Sequence, residues 1–130
     1  MYELETNGIL ISVEPDYLDD QSEPDERHFV WAYTVRIDNR SSETVQLTAR
    51  HWRITNGEGK TEIVHGEGVV GEKPVLHPGE AFEYTSGAPL DTPTGFMSGS
   101  YMMKTARGKA FEVTIPAFSL DSPHANLRVH

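Results

Sequence analysis

Gly66-Glu67-Gly68-Val69-Val70-Gly71 is the stretch whose residue types could most readily do chemistry, because it spells GxGxxG. In a dinucleotide-binding fold that spacing follows a strand and opens a helix, whose first backbone amides hold a pyrophosphate. Here the preceding Lys60 to His65 reads as a strand. The residues after the motif, Glu72-Lys73-Pro74 and then Pro78-Gly79, do not open a helix. The motif therefore argues against a Rossmann unit. A smaller reading stays open, since glycines can turn successive N–H groups toward an anion without any helix. His65, Lys73 and Arg50 favour a phosphate, pyrophosphate or nucleotide ligand there, while Glu67 and Glu72 oppose it. The structural alternative is a loop whose tight turns need positive φ.

The other chemistry-bearing residues form no known pattern. Gly59-Lys60-Thr61 ends like a phosphate-binding loop, but the glycine required five positions before Gly59 is Ile54. The six histidines (His28, His51, His65, His77, His124 and His130) include no HxH or HxxxH pair. A transition-metal site would have to assemble from separate strands, with His51 and His65 the candidates. Glu14 to Glu26 holds seven acidic residues and no basic one, which reads as a solvated loop rather than a convergent cation site. Ser98-Gly99-Ser100 is not a nucleophile elbow and has no evident base. There is no cysteine, which removes disulfides and thiolate chemistry. The expectation is no catalytic residue, no cofactor and no metal ligand. Cobalt or magnesium should show no saturable site tighter than roughly 10 µM in the isolated domain.

The net charge of -9 and a pI near 5.0 repel nucleic-acid backbones and anionic membranes, so neither is an expected partner. No charged-then-apolar leader opens the chain and no apolar run approaches spanning length, which points to the cytoplasm. Asn39-Arg40-Ser41 fits a glycosylation acceptor but reads as a turn in that compartment.

The elements that must position the glycine loop are strands. Ile9, Ile11 and Val13 alternate in a first strand, and Phe29 to Ile37 alternate in a central one with an aromatic inner face. Val45 and Leu47 occupy odd positions while Trp52 and Ile54 occupy even ones, so a β-bulge or kink must fall between Thr48 and His51. Arg50 to Ile54 and Lys60 to His65 form a hairpin. With Gly57 and Glu58 as its two turn residues, Trp52 faces Ile63, Arg53 faces Glu62, His51 faces Val64 and Arg50 faces His65. Trp52, Ile54 and Ile63 then share the core face. After Pro78-Gly79 come Ala81 to Thr85, a long connection from Ser86 to Gly95, a strand through Met97 to Met103, the Arg107-Gly108 turn and a last strand from Lys109 to Phe118. Asp121 to His130 is a polar tail expected to fray. With no sustained 3.6-residue period, the fold class is all-β, an antiparallel β-sandwich of about seven to eight strands.

Arg50-His51-Trp52-Arg53-Ile54, Asn56-Gly57, Val64 through Gly71, Pro74, Leu76, Pro78-Gly79, Phe82, Tyr84 and Ser86-Gly87 together resemble the ApaG family. So do Gly95-x-Met97-x-Gly99-x-Tyr101-x-Met103 and Phe111-x-Val113-x-Ile115-Pro116-x-Phe118-x-Leu120. The resemblance runs from about Ile9 to Leu120 and implies one ApaG-like domain over 1–130, with a core of about 9–120. It implies an immunoglobulin/fibronectin type III-like sandwich, a link to cobalt resistance and magnesium efflux, and protein interaction rather than catalysis. No catalytic residue comes with it.

The combined expectation is a non-enzymatic domain that binds an unidentified protein partner, with a homo-oligomer compatible with the sequence. The contact surface is placed at the glycine loop, through Gly66, Gly68, Val69, Val70, Gly71 and Lys73. On an extended backbone at least one of the two adjacent valines, Val69 and Val70, points away from the core; the alternative is that both tuck inward as a loop plug. Loops on a rigid sandwich commonly carry function.

Overall fold

The computed structural model describes residues 1–124. Among these described residues nine strands run in order: β1 (Tyr2–Thr6), β2 (Ile9–Tyr17), β3 (Phe29–Asn39), β4 (Val45–Asn56), β5 (Thr61–Glu67), β6 (Val75–Leu76), β7 (Ala81–Leu90), β8 (Thr94–Thr105) and β9 (Ala110–Asp121). They form two antiparallel sheets, ordered β1-β2-β3-β7 and β5-β4-β8-β9, with β6 pairing with β4. This is the sandwich expected from the alternating apolar pattern, and the inward residues of both sheets make one core. Trp31, Tyr101 and Phe118 are its largest fully buried side chains. Trp52 packs edge-on against Tyr33, Tyr101 and Phe118.

β3 buries Phe29, Trp31, Tyr33, Val35, Ile37 and Asn39 in strict alternation, as the sequence requires. Asn39 ends that series as a satisfied polar core residue. Its Nδ2 donates to the carbonyls of Glu43 and Leu76, and its Oδ1 accepts from the backbone N–H and hydroxyl of Ser41. The change of parity in β4 is also real. The register against β8 shifts between Leu47 and Ala49, so Thr48 is the extra residue, at the near edge of the expected interval.

Four details differ from the sequence reading. First, β1 precedes the first expected strand and pairs with β2 through Asn7-Gly8, both with positive φ, as a two-residue type I′ hairpin requires. Second, the acidic segment is not loop throughout. β2 continues to Tyr17 and pairs with β3 to its end, and Pro15 is tolerated because β1 stops opposite Val13, leaving that stretch on an edge. Two short 3-10 turns come next, Asp19–Gln21 and Pro24–Glu26. Third, Ser86 to Leu90 is strand, paired with β3 from Tyr33 back to Phe29, and only Asp91 to Pro93 connects it to β8. Pro89 fits because β7 is an edge strand. Fourth, Asp121 ends β9 and Ser122 is buried, its hydroxyl bonded to the Pro93 carbonyl. The His124 ring packs against Tyr17 and Phe29. The rest of the expected tail, 125–130, lies outside the described residues.

The hairpin register is the most consequential correction. Trp52 faces Val64, Arg53 faces Ile63, Ile54 faces Glu62, His51 faces His65 and Arg50 faces Gly66. Every pair is displaced by one from expectation because the turn holds three residues, Gly57 to Gly59, not two. Asn56 closes it. Its backbone N–H donates to the Lys60 carbonyl, and its side-chain Oδ1 accepts from the amides of Glu58 and Lys60. Gly59 takes the left-handed position such loops need, at φ 85°. A one-residue slip reverses a strand's faces. Trp52 is buried at 3% exposure as expected, but Ile63 lies outside at 46%. Arg53 and Glu62 are not partners.

Candidate functional site: the glycine hairpin

β5 leaves the sheet at Glu67, and the chain folds back through a two-residue turn before rejoining β4 at Pro74. Val69 and Glu72 exchange both backbone hydrogen bonds, each 2.8 Å, around Val70 and Gly71. Both central residues have positive φ, 44° and 80°, which is the type I′ requirement. Gly68 donates to the Thr48 carbonyl and Leu47 to the Pro74 carbonyl, so the small hairpin is stitched along the bulged part of β4. Gln46 Nε2 adds a bond to the Lys73 carbonyl.

Each glycine of the motif has a separate steric reason. Gly66 faces Arg50, whose guanidinium fills the space a side chain would take. A Cβ there would come within 2.6 Å of Arg50 Nη1. From that place Nη1 donates to the carbonyls of Glu67, at 3.1 Å, and Gly68, at 3.0 Å. Gly68 has φ 63°, and a Cβ would meet the Glu72 carbonyl oxygen at 2.3 Å. Gly71 has φ 80° and open space around it, so only its backbone conformation favours glycine. The spacing that imitates a phosphate motif is thus accounted for by an arginine clamp, a close backbone approach and a turn.

Beneath the clamp lies a cluster of tyrosine hydroxyls that sequence reasoning missed. Tyr33, Tyr84 and Tyr101 are all buried, and the hydroxyls of Tyr84 and Tyr101 share a hydrogen bond. Burial pushes all three phenols above their ordinary range. The Arg50 charge pulls the other way at each. The charge of Arg50 is thus felt by the buried phenols while its guanidinium holds the hairpin carbonyls. A long cation opposite a glycine on the paired strand was the signal, but it becomes visible only in the correct register.

The two valines part company. Val69 is fully buried and plugs the hairpin into the core, while Val70 is 54% exposed at its tip. Lys73 is exposed and pairs with Glu67, Nζ to Oε1 at 3.1 Å. Of the groups that could attract an anion, Arg50 is engaged by two carbonyls, Lys73 by a carboxylate, and the amides of Gly68, Val69 and Glu72 by backbone carbonyls, while His65 is exposed on the outer face. Among the described residues no three His, Cys, Asp or Glu side chains converge on a common point. No helix among them is long and apolar enough to cross a membrane.

Two four-to-five-stranded sheets joined in this order define a small β-sandwich of the immunoglobulin/fibronectin type III kind, here carrying a clamped glycine hairpin on one edge. The ApaG domain model matches residues 19–105, and the chain belongs to the ApaG family. It is 63% identical over 128 residues to the ApaG protein of Rhodospirillum centenum, covering 98% of both chains. It is 59% identical to that of Parvibaculum lavamentivorans over the full length of both. A crystal structure from Bordetella pertussis, 50% identical, superposes with a TM-score of 0.86 and covers 88% of this chain and 94% of that one.

Proposed function

We propose that this chain is a non-enzymatic protein-interaction domain whose contact surface is the tip of the glycine hairpin with the adjoining strand ends. The observation that carries this is Val70. A β-branched residue at positive φ is a conformational outlier that the surroundings must enforce. Val70 also makes no use of its side chain in the core, since it is more than half exposed. An apolar side chain held at a strained, protruding position fits an anchor for a partner better than it fits a fold requirement. Val75 and Met102 add exposed apolar area on the outer face of the same sheet. The family resemblance adds a setting in cobalt resistance and magnesium efflux, with the domain acting by binding and not by transport. The rival reading, a phosphate, pyrophosphate or nucleotide ligand at the same loop, has less support, because Arg50 is engaged by two carbonyls and Lys73 by a carboxylate.

A photo-crosslinking residue at position 70 tests the reading in cell extract, with a second at Thr85 on the outer face of the other sheet as comparison. The expected result is a discrete protein adduct from position 70, absent from position 85. Adducts of equal yield from both positions, or none from position 70, contradict it.

A further inference from the structure

The true register of the β4–β5 hairpin sets His51 directly opposite His65, and we infer that this imidazole pair is a weak chelating site for a borderline divalent cation such as Zn²⁺ or Cu²⁺. The two rings lie with centroids 4.5 Å apart and planes 39° from each other. Both stand on the outer face of the sheet, since Trp52 and Ile54, which alternate with His51 and Arg53 along β4, turn inward. His65 is exposed and His51 half-buried, so the ring nitrogens can reach an ion without opening the fold. A tetrahedral zinc ion with Zn–N bonds of about 2.0–2.1 Å holds its two ligating nitrogens roughly 3.3 Å apart. Rings at the observed separation meet that with small side-chain rotations.

The surroundings suit a cation completed by carboxylate or water. The pair lines an open hollow of about 620 Å³ that also holds Glu67, Ser100, Met102 and Glu112, and Arg50, whose guanidinium is held by the Glu67 and Gly68 carbonyls. Glu67 comes two positions after His65, on the same face, and pairs with Lys73 at the surface. Glu112 accepts a bond from Ser100, which itself faces His51. Among the described residues no third ligand is in place, and Arg53 stands at the next outward position of β4 after His51. Both features keep the affinity low. Imidazole favours zinc and copper over magnesium or calcium, which prefer oxygen, so the selectivity follows from the ligand type.

Zinc titration of the full chain without a histidine tag, followed through the side-chain nitrogen signals of its histidines, tests this. The signals of His51 and His65 should move together and saturate with one dissociation constant, ahead of the other four histidines. His51→Gln and His65→Gln should each weaken binding at least about tenfold, since even removing an outer partner of a metal ligand has that effect. His77→Gln should leave it unchanged. Should His51→Gln unsettle the strand, His65→Gln on the exposed edge strand carries the test alone. The inference is overturned if the two signals stay still up to roughly millimolar zinc, move with different constants, or respond equally to His77→Gln.

Discussion

The guanidinium of Arg50 lies under Gly66 and holds the Glu67 and Gly68 carbonyls from a place that any side chain at position 66 would contest. The two residues should therefore be energetically coupled. Gly66→Ala should displace the flexible end of Arg50 and lose roughly 1.5–3 kcal/mol, the range for hydrogen bonds to a charged group. In an Arg50→Met background the same change should matter much less, giving a coupling of at least about 0.5 kcal/mol in denaturant melts of the four proteins. Strict additivity would mean that the clamp does not depend on the missing side chain. Gly68→Ala meets rigid backbone and a positive φ together, so about 2 kcal/mol or more should be lost in either background.

Trp52 and Ile63 should behave oppositely, although the sequence alone placed them side by side. Trp52→Ala empties the centre of an aromatic cluster and should cost about 3–5 kcal/mol. Ile63→Lys changes an exposed side chain on an edge strand and should stay within about 0.5 kcal/mol. Thermal melts of both variants decide it, and a strongly destabilised Ile63→Lys would return the hairpin to its two-residue turn.

The tyrosine cluster predicts a fold that fails in alkali. Burial favours the neutral phenols of Tyr33, Tyr84 and Tyr101, so their pKa values are raised in the folded chain. Their contribution to stability is complete below the ordinary phenol range, near pH 10, and is lost as pH rises through and beyond it, because the unfolded chain releases those protons first. Melting temperature should fall steadily above about pH 10. Phenolate absorbance for three of the five tyrosines should appear only together with loss of the folded circular-dichroism signal. Five tyrosines ionising reversibly near pH 10 in a folded protein would contradict this.

Alternation made most of the sandwich legible, because a strand with one buried face must repeat every second residue. β3 and the Phe111, Val113, Ile115 series of β9 were readable for that reason, and so was the bulge in β4. β1 was missed because Tyr2 to Thr6 is mostly exposed and carries little apolar signal, although Asn7-Gly8 is itself a hairpin signature. Ser86 to Leu90 was missed because two of its five residues, Gly87 and Pro89, are poor strand formers that an edge position tolerates. The register failed at one point of turn chemistry, the side chain of Asn56 bridging a three-residue loop. That single displacement hid both the Arg50–Gly66 contact and the His51–His65 pair. The glycines of the hairpin were visible from the start, but a positive φ, a carbonyl in contact and an arginine in the gap all leave the same letter in the sequence.

Val70 is held in a conformation it disfavours, and the proposed role of its side chain is to touch a partner. Val70→Asn creates the Asn-Gly pair that type I′ turns prefer. It should relieve the strain and stabilise the fold by about 1 kcal/mol. It also removes the apolar tip. The decisive measurement is therefore the melting temperature and the yield of the hairpin's partner, obtained side by side for Val70→Asn and the unaltered chain. The predicted result is a melting temperature that is unchanged or higher, with capture of the partner lost. Capture retained at full yield by a stabilised Val70→Asn protein would contradict it.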